Sequence, residues 1–462
     1  MAVFVRDKHK RPLMPCSEKR ARLLLARGRA VVHKRYPFTI RLKDRVGGDT
    51  QPLRLGIDPG SKTTGLALMR ETDSTESDGP QRHVLCLFDL VHRGYQIKKS
   101  LEQRRGFRRR RRSKNLRYRA PRFNNRTKPK GWLAPSLQHR VDTVMAWVER
   151  LSKLAPVTAI SQELVRFDTQ KLDNPEISGV EYQQGTLLGY EVREYLLAKW
   201  GRECAYCGTG DTPLEIEHVV PRSRGGSNRV SNLTLSCHPC NQAKGSLPLA
   251  DFFSRDKGLR KRLKANGLSA DARLERVQRQ LKQPLRDASA VNATRWALFN
   301  ALKTTGLPVA VASGGRTKYN RQRLGIPKTH ALDAACVGAF GWLHDWTAST
   351  LTIKCTGRGN YQRTRLTKYG FPRGYLMRQK QVRGFQTGDI VKAVVPSGKK
   401  AGTYTGRVAV RKTGSFNIQT DQGAVQGISH KHCTVIQRGD GYGYHLTPTI
   451  NQLKGGAGQA VA

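Results

Sequence analysis

The chain is short of acid. Asp and Glu number 34 among 462 residues, against 83 Lys and Arg, for a net charge of +49. With a pI near 10.7, a polyanion is the default partner, and nucleic acid ranks ahead of a membrane surface. Long apolar runs are also missing. The longest, Ala334 to Leu343, has ten residues, against roughly 18 needed to cross a bilayer, so no membrane partner is expected. Charge arrives early, at Arg6-Asp7-Lys8, which leaves no apolar core for a signal peptide. Cysteine is sparse, nine in all. Five of them (Cys16, Cys86, Cys336, Cys355, Cys433) show no pairing pattern, which suits a reducing cytosol rather than a disulfide framework. Hydrophobic content is low at 37%. It suffices for several packed domains because the basic surplus is concentrated rather than spread.

The other four cysteines form two pairs. Cys204-Ala205-Tyr206-Cys207 is followed, after 29 intervening residues, by Cys237-His238-Pro239-Cys240. Four thiolates at this spacing fit one closed tetrahedral zinc site. A dithiol redox centre needs one C-x-x-C at a helix start, not two facing pairs. Between the pairs lie Glu217-His218-Val219-Val220-Pro221 and Asn232, and Asn241 follows the last cysteine. This segment resembles the HNH, or ββα-metal, endonucleases. The resemblance implies that Glu217 and Asn241 hold a divalent metal, that His218 is the general base, and that Asn232 fixes the loop. Glu217 stands where many members carry Asp. Phosphodiester hydrolysis needs a deprotonated water and a cation on the scissile phosphate, and a neutral imidazole beside an acid and an amide can supply both.

A second unusual stretch runs from Arg93 to Lys130. Seventeen of its 38 residues are Lys or Arg and Glu102 is its only acid. Tyr95, Phe107, Tyr118 and Phe123 are interleaved with Arg104, Arg105, Arg108, Arg109, Arg110, Arg111, Arg112, Arg117, Arg119 and Arg122, the candidate RNA contacts. A helix of one charge sign has no i,i+4 partners, so this stretch is expected to order only on a polyanion.

The remaining pattern reads as a small mixed module over 1–52: a strand at Val3–Val5, a loop at Arg11–Cys16, a helix from Ser17 to Arg29, and strands near Ala30 and Thr39. Strands follow at Leu53–Asp58, Thr64–Met69 and His83–Val91. After the basic insert come a helix over Ser136–Leu154, with Leu137, Val141, Val144, Val148 and Leu151 on one face, and a strand at Val157–Leu164. A helix at Glu191–Trp200 leads into the cysteine module, and residues 255–285 read as basic and helical. Further elements are a helix at Ala290–Thr304, a strand at Val309–Ala312 and a helix at Thr329–Trp342. Beyond about 347, short strands such as Asp389–Val395 and Val408–Ile418 with Gly turns predict a small β barrel.

With the basic insert and the cysteine module set aside, this order is that of an RNase H-like α/β core. Such a core carries acids on its first strand, fourth strand and last helix, where Asp58, Glu163 and Asp333 stand, with His330 on the same helical face as Asp333. Singly, Asp58 could start an Asp-Pro-Gly turn and Glu163 could be a surface acid; jointly they are candidate ligands of two Mg²⁺ or Mn²⁺ ions. Arg11-Pro12-Leu13-Met14-Pro15, Gly56-Ile57-Asp58-Pro59-Gly60, the Arg-rich insert, Glu163 and Lys328-Thr329-His330-Ala331-Leu332-Asp333-Ala334 together resemble the IscB family, transposon-encoded relatives of the large CRISPR nucleases. That resemblance implies a PLMP module (1–52), RuvC-like segments (53–92, 131–190 and 255–346), an Arg-rich bridge helix (93–130), an HNH nuclease with a zinc ribbon (191–254) and a β-rich domain (347–462) that touches RNA and the target-adjacent DNA motif. It implies a monomeric protein in a ribonucleoprotein in the prokaryotic cytoplasm, bound to a noncoding guide RNA and cleaving double-stranded DNA. HNH would cut the guide-paired strand and the RuvC-like site the displaced one. A protein-only, junction-resolvase-like nuclease and a non-catalytic zinc protein are the competing readings.

Overall fold

The computed structural model describes residues 1–73, 79–116, 129, 131–164, 188–210, 212–283, 288–357, 363–377 and 379–447. It divides into two compact units, residues 1–162, 300–310 and 328–462 in one and 163–299 and 311–327 in the other.

The first unit opens with β1 (Val3–Arg6), β2 (Pro12–Cys16), α1 (Glu18–Ala26), β3 (Ala30–Lys34) and β4 (Thr39–Leu42), in the sheet order β2-β1-β4-β3. Ser17 caps α1 by accepting from the Arg20 amide at 3.3 Å. The predicted loop at Arg11–Cys16 is a strand instead. Pro12 and Pro15 lack an amide for one partner only, and an edge strand such as β2 needs just one.

Next come β5 (Leu53–Pro59), β6 (Thr63–Thr72), β7 (Gln81–Val91), α2 (Gly94–Ser113), α3 (Pro135–Ser152) and β8 (Val157–Glu163). The basic stretch is helical through Ser113 even without a polyanion. It packs on α3, where a Cβ on Gly94 would meet the Ser136 carbonyl at 2.9 Å. Arg117, Arg119, Arg122, Tyr118 and Phe123 lie outside the described residues. On α3 the buried face is Val141, Val144, Trp147, Val148 and Leu151. Trp147 was not among the expected residues. It is fully buried, and truncating such a side chain costs about 3–5 kcal/mol.

The second unit contributes α4 (Leu188–Lys199), β9 (Leu214–His218), β10 (Leu233–Cys237), α5 (His238–Lys244), α6 (Leu249–Arg255), α7 (Lys257–Ala265) and α8 (Ala270–Lys282); α9 (Ala288–Lys303) leads out of it. The boundary expected at 254/255 is not a break in packing. Leu259 and Leu263 of α7 and Val277 and Leu281 of α8 share one core with Tyr206, Leu235 and Cys240. Arg273 of α8, almost fully buried, donates to the carbonyls of Ala205 at 2.7 Å and Cys204 at 2.6 Å. These helices therefore satisfy carbonyls of the cysteine module.

The chain continues through β11 (Val309–Ala312), α10 (Gly314–Arg323), α11 (His330–Ala335), β12 (Leu343–His344) and β13 (Thr350–Cys355). The helix expected over Thr329–Trp342 is only α11. Gly338, at φ +94°, turns the chain. The Arg82 guanidinium accepts the role of terminating partner by donating to the carbonyls of Val337 at 2.7 Å and Ala335 at 3.3 Å. Arg82 is itself paired with Glu71, which also holds Arg54.

Short hairpins follow, β14 (Arg363–Leu366) with β15 (Pro372–Met377) and β16 (Gln381–Val382) with β17 (Phe385–Gln386). Then come β18 (Ile390–Val395), β19 (Gly402–Ala409), β20 (Ser415–Thr420), β21 (Gly423–Ser429), β22 (Cys433–Gln437) and β23 (Tyr442–Thr447). The expected barrel is a five-stranded sheet of order β21-β20-β19-β18-β22 around Val391, Val408, Phe416 and Ile418. Val408–Ile418 is two strands, because Gly414 at φ +81° turns the chain between them. The boundary at 347 also shifts. β13 and β23 both belong to the large sheet, whose order is β11-β8-β5-β6-β7-β13-β23 with β12 also beside β7. Within it β5, β6 and β7 are antiparallel, β8 joins β5 in parallel, and β13 joins β7 in parallel. The chain is a mixed α/β protein, and no helix among the described residues is long and apolar enough to cross a membrane.

Candidate active sites and metal centre

In the first unit, Asp58 on β5 lies opposite Gly65 on β6, and Gly65 lies opposite Asp89 on β7. Two carboxylates thus flank one glycine. α11 crosses the sheet at that glycine, so closely that a Cβ on Gly65 would sit 1.8 Å from the His330 carbonyl and one on Gly56 2.1 Å from that of Ala334. Only glycine admits such an approach. His330 consequently reaches Asp58, Nδ1 to Oδ2 at 3.1 Å. The hydrogen bond and charge of Asp58, joined by the charges of Asp89 and Asp333, raise the His330 pKa despite burial. Asp89 was not anticipated. Burial raises its pKa, with Asp58 adding to the effect, and its Oδ1 is buried without a hydrogen-bond partner among the described residues. Asp58, Asp89 and Asp333 thus all act on His330, and the orphaned Asp89 oxygen is of the hard kind a divalent cation takes. The only sequence signal for Asp89 is an acid inside the apolar run Leu87-Phe88-Asp89-Leu90. Glu163 closes β8 but belongs to the second unit, where it is buried and accepts from Arg295 at 3.1 Å.

The second unit holds the ββα hairpin, with β9 and β10 paired from Leu214↔Cys237 to Leu233↔His218 and α5 packed against both. Asn232 works as a staple. Its Oδ1 accepts from the Val220 amide at 2.8 Å, and its Nδ2 donates to Val220 O at 3.0 Å and Ser227 O at 2.9 Å. His218 Nε2 lies 2.9 Å from Asn228 Oδ1, which also accepts from Arg222. That oxygen is an acceptor, so Nε2 carries the proton and Nδ1 keeps the lone pair, the form a base requires.

The acids divide differently from the expected Glu217–Asn241 pair. Alternation puts Glu215 and Glu217 on one face of β9. Asn241 Nδ2 donates to Glu215, not Glu217, at 2.5 Å, and His238 Nδ1 lies 2.9 Å from the same carboxylate. Those hydrogen bonds, from Asn241 first, lower the Glu215 pKa. Glu217 is buried, with Lys244 Nζ at 2.6 Å on one oxygen and the Tyr206 hydroxyl on the other. Burial raises its pKa, with Lys244 and Tyr206 opposing. The carboxylate–amide–imidazole set that fits a divalent metal is therefore Glu215, Asn241 and His238. Glu215 and Lys244 were both missed, since only the placement of α5 separates the roles of the two glutamates.

Cys204, Cys207, Cys237 and Cys240 are all buried, with their sulfurs within 4.8 Å of one another. Shared hydrogen bonds push the thiols apart, Cys207 and Cys237 downward and Cys204 and Cys240 upward. Four converging sulfurs fit one zinc.

The basic helix carries its arginines against a turn of the C-terminal strands. Phe107 fits the space a Cβ on Gly370 would fill, Arg110 donates to Lys368 O at 3.1 Å, and the Arg111 guanidinium lies 5.2 Å from the Phe371 ring centroid.

Two family models match the chain. The family model "RRXRR protein" matches residues 3–185, and "HNH endonuclease" matches residues 204–247. The CRISPR-associated endonuclease Cas9 of Corynebacterium diphtheriae is 28% identical over 205 residues, covering 33% of this chain and 18% of that protein. The chain thus matches less than a fifth of that relative's length. Among solved structures, the Type II-C Cas9 enzyme from Actinomyces naeslundii aligns at 14% identity with a TM-score of 0.23, covering 62% of this chain and 59% of that one. Streptococcus thermophilus Cas9 in complex with the AGAA PAM aligns at 15% and 0.22, covering 60% and 32%. The chain carries an RRXRR region and an HNH endonuclease domain with similarity to Cas9, and these support a nuclease.

Proposed function

We propose that the protein is an RNA-guided DNA endonuclease of the IscB type. A noncoding guide RNA selects the target, the HNH hairpin cuts the guide-paired strand, and an RNase H-like site that includes Asp58, His330 and Asp333, with Asp89 on the strand beyond Gly65, cuts the displaced strand. The observation that carries this reading is the seat of His218, whose Nε2 lies 2.9 Å from Asn228 Oδ1, next to a stapled loop, on the strand that presents Glu215 toward Asn241. In this reading His218 takes the proton of the attacking water, Asn228 holds the ring, and Asn232 keeps the loop from closing over it. Glu215 and Asn241 would hold a divalent metal, as would the acids around His330, and that metal would supply positive charge at the scissile phosphate. The four cysteines hold structural zinc. The arginines of α2 neutralise guide phosphates. The segment boundaries proposed above then apply, with the zinc-bearing module extended through α8.

The test is strand-resolved cleavage of a plasmid by the ribonucleoprotein in Mg²⁺. His218→Ala should lose guide-paired cutting by about 10²–10⁴-fold and keep displaced-strand cutting. Asp58→Ala should do the reverse. Unchanged cutting of either strand by its variant overturns that assignment, and full activity of protein stripped of RNA returns the junction-resolvase reading.

A further inference from the structure

A second cluster of metal-ligating side chains lies in the first unit, apart from both candidate active sites. β13 runs parallel to β7 with Lys354 opposite Val91, so the next residue on each, Cys355 and His92, come side by side at the ends of the two strands. His139 comes from the first turns of α3. One ligand atom from each of the three lies within 4.8 Å of the others, and Cys355 is buried.

Threonine hydroxyls hold one nitrogen of each ring. Thr64 Oγ1 lies 2.8 Å from His92 Nε2, while His92 Nδ1 is buried and has no hydrogen-bond partner among the described residues. Thr143 gives its hydroxyl proton to the His139 carbonyl at 2.6 Å, so its oxygen accepts from His139 Nδ1 at 3.2 Å. That leaves His139 Nε2 with the lone pair, held only by the Arg93 amide at a long 3.4 Å. Each ring thus has one nitrogen beside a threonine hydroxyl, the kind of partner that the second nitrogen of a metal-ligating histidine keeps.

We propose that His92 Nδ1, His139 Nε2 and Cys355 Sγ form a zinc site separate from the four-cysteine centre. Two imidazoles and a thiolate select Zn²⁺ over Mg²⁺ or Mn²⁺. Three protein donors leave a fourth position for water. Binding breaks the Cys355 S–H bond, puts the sulfur electron pair on zinc and releases the proton to solvent. Arg93 and Arg140 face the cluster and oppose a cation, and the new thiolate offsets one of those charges. The site joins the end of β7, the start of α3 and the end of β13. Gly94, the first residue of the arginine helix, follows two residues after His92. Zinc there would anchor the root of that helix.

The experiment uses the full chain and reads metal, not cleavage. Purified protein is dialysed against a weak chelator and its zinc counted by mass spectrometry; cobalt-loaded protein is followed by its thiolate-to-cobalt absorption. Wild type should carry two zinc ions, and Cys355→Ala and His139→Gln one each. Cys237→Ser, which removes the four-cysteine centre, should keep one metal with a charge-transfer band of single-thiolate intensity. His92→Gln in that background should abolish the band. One zinc in wild type, lost entirely in Cys237→Ser, overturns the proposal, as does wild-type zinc content in Cys355→Ala. Should Cys355→Ala fail to fold, the cobalt band of Cys237→Ser decides by itself, its absence counting against the site.

Discussion

Gly65→Ala tests the geometry of the RNase H-like site without touching any titratable group. The added Cβ would stand 1.8 Å from the His330 carbonyl oxygen and 2.8 Å from the Ala331 nitrogen. Ordinary contact begins at 3.4 Å, so α11 must retreat by about 1.6 Å. It cannot simply slide, because Gly56 grips the Ala334 carbonyl at its other end. Overpacking a rigid contact costs about 1–3 kcal/mol, which at about 2–4 °C per kcal/mol for a domain of this size lowers the melting temperature by several degrees. A displacement on the order of 1 Å in a reacting group costs about 10²-fold. Displaced-strand cutting should therefore fall about a hundredfold or more, while guide-paired cutting by His218 continues. The assay is strand-resolved nicking, with a thermal melt on the same preparation. Gly106→Ala is the control: it lies within α2 with nothing within 4 Å of its Cβ, so it should gain about 1 kcal/mol of helix propensity. Wild-type melting and wild-type displaced-strand cutting in Gly65→Ala would refute the seating of α11 on β6.

The two hairpin glutamates should separate in different assays. Glu217→Ala leaves Lys244, fully buried, without its 2.6 Å partner and should destabilise the unit by about 3–5 kcal/mol. Glu215→Ala should leave the melting temperature in place and depress guide-paired cutting; the opposite pattern would restore Glu217 as the metal-holding acid. Replacing Arg108 to Arg112 with Gln should weaken guide-RNA binding and flatten its salt dependence by up to about one unit of slope per lost phosphate contact. An unchanged slope in a salt titration would remove the arginine helix from the RNA interface.

Much of the core was legible because burial imposes period on sequence. Alternation in Leu53–Asp58 and the 3.6-residue spacing on α3 marked real elements, and Ser17 marked the start of α1. What failed did so through partners distant in sequence. α11 stops early because Arg82 takes its last carbonyls. Pro12–Cys16 is a strand only because it occupies an edge. The hairpin was visible in Cys204–Asn241, yet the sequence cannot say which of the two glutamates meets Asn241 and which meets Lys244. Asp89, and the meeting of His92, His139 and Cys355, depend on strand register across the whole sheet, which no local motif encodes.

The position of β23 has a consequence for how such a chain can change. Cys355 and Tyr442 are directly paired neighbours on β13 and β23, so everything between them leaves and returns through one gap in the large sheet. That is the topology of an inserted cassette. The intervening strands can be lengthened, shortened or exchanged with their two attachment points already held together, and the sheet that carries Asp58 and Asp89 need not be rebuilt. The exchange is not neutral for the arginine helix, because the cassette brings the Lys368–Phe371 turn that rests on Phe107, Arg110 and Arg111. A graft that keeps this turn would keep the seat of the arginine helix intact, and one that drops it would expose those side chains.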